Sequence, residues 1–171
     1  GSLSIQGNWY LNDDAETGSE AYFTLNGGTI DVVGFMTMPW DSDSAKSHLT
    51  VNDGTITIQG ATGIQMGNDG GGTNDTVESR MFLNGGLVRA EDLGFQASDS
   101  MIVYTGGSLW INSANMSEAD MLALIGTKID VSGAASWDVI TLRGYTGLVP
   151  EPATLVLLGL GGLALVRRKR R

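Results

Sequence analysis

Cysteine is absent from the chain, which excludes both a disulfide framework and a thiolate metal site. Proline occurs only three times, so a proline-rich spacer is excluded as well. Lysine is confined to Lys46, Lys128 and Lys169, and residues 1–150 carry 18 Asp and Glu against five Lys and Arg. So acidic a body repels phosphates and excludes nucleic acid as a partner. Histidine occurs once, at His48, where a strand is expected to begin. With no second histidine to share a metal or a proton relay, a structural or exposed role is expected for it. Neither a Gly-x-Ser-x-Gly elbow nor a phosphate-binding glycine loop is present. The 171 residues still suffice for about one domain with its own core.

Glycine, in contrast, is abundant at 25 residues. Together with many Asn, Asp, Ser, Thr and β-branched residues, it favours strands and tight turns over helices. A short pattern recurs: Phe23–Ile30, Leu49–Ile56, Met81–Val88 and Ile102–Leu109 each alternate, turn through a polar-glycine step and resume alternation. The turns are Asn26-Gly27-Gly28, Asn52-Asp53-Gly54, Asn84-Gly85-Gly86 and Thr105-Gly106-Gly107, separated by 26, 32 and 21 residues. Leu3–Gly7 reads as a degenerate earlier copy. Such turns admit positive φ, and two architectures use them. In one, each turn is a corner between strands of a coil, and the coils stack into a parallel β-helix, or β-solenoid. In the other, each turn closes a hairpin, giving an antiparallel β-sandwich. Further strand-like stretches within each unit, such as 56–58 and 63–66, favour the solenoid, and the unequal spacings place insertions at 38–47 and 68–79. The repeats loosely resemble autotransporter-like passengers.

A helix is expected over 117–125: Ser117 as N-cap, Glu118 and Asp120 in the first turn, Met121, Leu122, Leu124 and Ile125 as its apolar side, and Gly126 as the stop. It is expected to cap the open end of the solenoid, with 129–131 and 137–142 as closing strands. Acid pairs at Asp13-Asp14, Asp41/Asp43 and Glu91-Asp92 fit a paired-carboxylate glycosidase by count alone, but each lies in an expected turn. The oxygen-rich stretch Asn68–Asp75 fits a solvated loop or a single calcium, without EF-hand spacing. No metal site and no cofactor are expected. Trp9, Tyr10, Trp40 and Trp110 suit sugar stacking if exposed and core packing if not.

The remaining positive charge is gathered in one place. Pro150-Glu151-Pro152 precedes 14 uncharged residues, 153–166, and Arg167, Arg168, Lys169, Arg170 and Arg171 follow. As a helix, 14 residues span about 21 Å, marginal against a hydrocarbon core of about 30 Å. The basic run holds its end on the cytoplasmic side and attracts anionic headgroups, while the prolines keep the approach extended. A buried apolar element and a permanent tail anchor are competing readings of the same residues. In its order of features, residues 149–171 resemble the PEP-CTERM sorting signal. That resemblance implies a transient partner, an exosortase, at Pro150-Glu151-Pro152. It also implies passage through the inner membrane and delivery to the cell surface or exopolysaccharide matrix of a Gram-negative-type bacterium. Since the chain opens at Gly1 without an apolar leader, a signal peptide and further N-terminal sequence are expected upstream.

The expected organisation is therefore an all-β body, 1–148, and a sorting signal, 149–171, with a membrane helix over 153–166. The expected function is that of an exported, non-catalytic surface or matrix protein. The alternative is a secreted carbohydrate-binding or polysaccharide-cleaving β-helix. A groove lined by acids and exposed tryptophans would favour the alternative.

Overall fold

The structure, a computed structural model, describes residues 1–12, 18–40, 45–68 and 77–151. Among the described residues the strands are β1 (Ser2–Ile5), β2 (Trp9–Tyr10), β3 (Glu20–Val32), β4 (Met36–Trp40), β5 (Lys46–Ile58), β6 (Ile64–Asn68), β7 (Glu78–Leu83), β8 (Leu87–Ala90), β9 (Leu93–Phe95), β10 (Met101–Tyr104), β11 (Ser108–Asn112), β12 (Ile129–Asp130), β13 (Asp138–Leu142) and β14 (Tyr145–Val149). The helix is α1 (Glu118–Leu124). The body is all-β, as expected.

The strands form two sheets. The larger runs β12-β10-β7-β5-β8-β11-β14-β13, with β3 on β5 and β1 on β3, and the smaller runs β2-β4-β6-β9. Pairing follows the sequence pattern. The arms of each repeat do not pair with each other. β7 and β8 both lie parallel to β5, β10 lies parallel to β7, and β11 lies parallel to β8. The hairpin reading of the four turns, and with it the antiparallel sandwich, is therefore corrected. A primed turn folds its arms back on one another, whereas each arm here is drawn to the like arm of the next copy. Antiparallel pairing enters at β14, which lies between β11 and β13.

Parallel register places like residues in columns. Phe23, Leu49, Met81, Ile102 and Ile129 form one, and Ile30, Ile56, Val88 and Leu109 another. Met36 and Ile64 pair in the smaller sheet, and all these residues except the half-buried Phe23 are buried. Alternation turns every second side chain inward. The inward-facing column of Ser47 and Ser79 breaks the apolar rule, but both are satisfied: Ser47 Oγ donates to the Leu11 carbonyl at 2.7 Å, and Ser79 Oγ donates to the Met38 carbonyl. These hydroxyls tie the larger sheet to the backbone at the end of β2 and within β4.

The degenerate copy at 3–7 is placed differently from its reading. β1 pairs with Thr29–Val32 and so matches the second arm of a repeat rather than the whole unit. The helix starts as expected: Ser117 and Asp120 form a reciprocal capping box. Met121 is buried, but Leu122 is 51 % exposed, because one step beyond Met121 turns about 100° away from the packed face. The helix packs against β13 and β14, while the edges of β10 and β11 are taken by β12 and by the β13–β14 hairpin. β12 and β13 thus lie where closing strands were expected, and the helix rests on the β13–β14 pair instead of covering an edge alone. β14 itself went unforeseen, hidden by its nearness to the prolines.

Candidate functional site

Val149 ends β14 buried and paired with Asp138, and Pro150 and Glu151 follow it exposed. Proline has no N–H to continue a ladder, so the sheet stops where the proposed processing segment starts. Pro152, the apolar stretch 153–166 and Arg167, Arg168, Lys169, Arg170 and Arg171 lie outside the described residues. Among the described residues no helix is long and apolar enough to cross a membrane.

The repeat turns stack into one polar ladder. Asn52 Nδ2 donates to Asn26 Oδ1 at 2.8 Å, Asn84 Nδ2 to Asn52 Oδ1 at 2.9 Å, and Thr105 Oγ1 to Asn84 Oδ1 at 2.8 Å. Asn52 and Asn84 thus each present an N–H to one neighbour and an oxygen to the next. The glycines make this stacking possible. Gly54 sits at φ 97 and Gly86 at φ 68, and a Cβ on either would lie 2.5 Å from the carbonyl oxygen of Gly28 or Gly54. Gly28 and Gly107 also have positive φ, and Gly27, Asp53, Gly85 and Gly106 complete the corners. Tyr104 closes the last corner: its hydroxyl donates to the Gly107 carbonyl at 2.9 Å, and burial pushes its pKa up to about 12.

His48 lies on the outer face, in register with Tyr22 and Arg80. Its ring meets Tyr22 edge-on at 5.0 Å and Phe82 at 5.7 Å, and its Nε2 is 3.5 Å from Glu78 Oε1. Glu78 also faces Lys46 at 3.9 Å and Arg80 at 3.3 Å, and Lys46 reaches Glu20 at 3.7 Å. The Tyr22 hydroxyl donates to Glu20 and holds its carboxyl below the ordinary value. This is a cross-strand column of alternating charge and ring contacts on a strand face.

Of the acid pairs, Asp13-Asp14 and Asp41/Asp43 lie outside the described residues, as does the 69–75 part of the oxygen-rich loop. Glu91 is engaged: Asn112 Nδ2 donates to it at 2.6 Å and the Tyr145 hydroxyl at 3.1 Å. Asp92 accepts from the Leu93 N–H at 2.8 Å. Among the described residues no three His, Asp or Glu gather as a metal site. Trp9 is half-buried against Phe23 at 5.1 Å, and Tyr10 stands edge-on to Phe35 at 5.8 Å.

Trp110 is placed otherwise. It lines an open depression of about 350 Å³ with Leu87, Arg89, Leu142, Arg143 and Tyr145. Register sets Arg89, Trp110 and Gly147 side by side on β8, β11 and β14. Because Gly147 lacks a side chain, the six-membered ring of Trp110 lies directly over its backbone. The Arg89 guanidinium sits 5.5 Å from the Tyr145 ring centre. Arg143 has φ 53, followed by Gly144 at φ 82, in the two-residue turn between β13 and β14. Sequence reasoning singled out Trp110 and missed its neighbours, since β8 and the hairpin come together only through β11.

No curated protein and no solved structure matches the chain, so the likeness to autotransporter passengers gains no relative. Residues 148–171 match the family model of the PEP-CTERM protein-sorting motif, and the chain is thereby one that carries a PEP-CTERM sorting signal, which implies processing by an exosortase at the membrane.

Proposed function

We propose that this protein is an exported, non-catalytic surface or matrix component, with a β-solenoid body delivered through exosortase processing of its C-terminal signal. The observation that carries the reading is the junction at Val149. A paired, buried strand ends there, and an exposed Pro150-Glu151 step within the matched sorting motif follows at once. A membrane-embedded protease can reach that step without unfolding the body. The solenoid reading is supported by the parallel, in-register pairing of successive repeats and by the side-chain ladder along their turns. A non-catalytic role is supported by the engagement of Glu91 in fixed hydrogen bonds and by the position of His48 on a strand face.

The test is fractionation in an exosortase-bearing host. Wild-type chain is expected in the surface and medium fractions. A variant with Pro150→Ala, Glu151→Gln and Pro152→Ala together is expected to stay in the membrane fraction. Equal distribution of the two would overturn the reading. The carbohydrate-binding alternative is favoured by the depression beside Trp110, although that depression is lined by cations rather than acids. No observation favours polysaccharide cleavage.

A further inference from the structure

We infer that the depression formed by Trp110, Arg89, Arg143 and Tyr145 binds the acidic sugar units of a polysaccharide. This deepens the matrix reading above by giving the body a ligand class. Three observations converge on it. The Trp110 indole packs over Gly147, which has no side chain to displace it, and also lines the depression, where an aromatic ring can stack on the apolar face of a pyranose. Two arginines, Arg89 and Arg143, line the same depression, and neither makes an ion pair with a described carboxylate. They are two of only five basic residues in an acidic body of 150 residues. Their forked donors match a carboxylate.

The backbone supplies the third observation. Arg143 holds a left-handed conformation, φ 53, at a turn position that Asn, Asp or Gly fills at lower cost. A strained non-glycine residue that also lines a depression suggests a role beyond closing the turn. The described acids on this face include Glu91, Asp138 and Asp31, which lies in register with Arg89 across Thr57. Glu91 is held by Asn112 and Tyr145, and Asp138 accepts the Val139 N–H at 2.9 Å. The volume of about 350 Å³ falls at the lower end of small-ligand sites, about 300–1,000 Å³, which suits one or two sugar units of a longer chain. The acidic body repels any polyanion at long range, so the attraction for a sugar carboxylate is confined to Arg89 and Arg143 at the depression.

The test is titration calorimetry of the full-length chain with oligogalacturonate and, in parallel, with a neutral galactan oligomer of equal length. Oligogalacturonate is expected to bind, more weakly as salt rises, and the neutral oligomer at least tenfold more weakly. Arg143→Gly removes the cation and relieves the turn, so it is expected to cut affinity about tenfold with an unchanged or higher thermal midpoint. Trp110→Ala is expected to abolish binding. Equal binding of both oligomers, undiminished binding by Arg143→Gly, or no binding of the acidic oligomer overturns the inference. Each of these results leaves membrane processing untouched, so failure here is distinct from failure of the sorting reading.

Discussion

Asn52 occupies the centre of the side-chain ladder, donating to Asn26 and accepting from Asn84. Asn52→Ala removes two solvent-exposed hydrogen bonds at about 0.5–1.5 kcal/mol each, and an unfolding free energy lowered by about 1–3 kcal/mol is expected from denaturant curves. Gly54→Ala is expected to be far worse. Its Cβ would meet the Gly28 carbonyl at 2.5 Å, at a φ of 97; loss of the cooperative thermal transition checks this. Tyr104 gives a pH signature. Its folded pKa of about 12 lies above its ordinary value of 10, so the unfolded chain releases this proton first as pH rises. The resulting stability is complete below pH 10 and lost as pH rises toward and through 12, by an amount on the order of 2 kcal/mol at pH 12. Tyr104→Phe is expected to flatten that alkaline slope in unfolding curves taken from pH 9 to 12, at the cost of the bond to Gly107.

At the level of elements, the helix is held at its start by Ser117. The Ser117 hydroxyl and N–H both reach the Asp120 carboxylate and hold it below its ordinary pKa, and the Asp120 N–H returns to Ser117 Oγ at 3.2 Å. Ser117→Ala is expected to lower stability by about 1 kcal/mol, read as a shift in the thermal midpoint. The elements also show where sequence reading succeeds. The capped helix, the strand-turn-strand units and the burial of alternate residues follow from local chemistry: a cap, a glycine with positive φ, a period of two. What escaped the reading depends on partners distant in sequence. β14 reads as a short run before prolines until β11 and β13 flank it. Ser47 and Ser79 look like strand-surface serines until the Leu11 and Met38 carbonyls face them. Arg89 and Arg143 are 54 residues apart and meet only because β11 and β14 pair.

Over the whole molecule, the chain divides its chemistry between a body that stacks on itself and a tail that addresses it. In the body, repetition does the structural work: like residues recur at 26, 32 and 21 residues along the ladder, and each copy supplies the edge on which the next one pairs. The sorting residues were legible without any fold, because their order along the chain carries their meaning. The depression beside Trp110 was not, because its residues have no common spacing. The central claim is that the last described strand ends at Val149 and that processing takes place just beyond it. Intact-mass analysis of the protein from a host with and without its exosortase tests this most directly. The account predicts a product shortened near Pro150-Glu151-Pro152 when the protease is present, with the thermal midpoint of the uncut chain. A full-length product in both hosts, or a shortened product that has lost its cooperative transition, would contradict it.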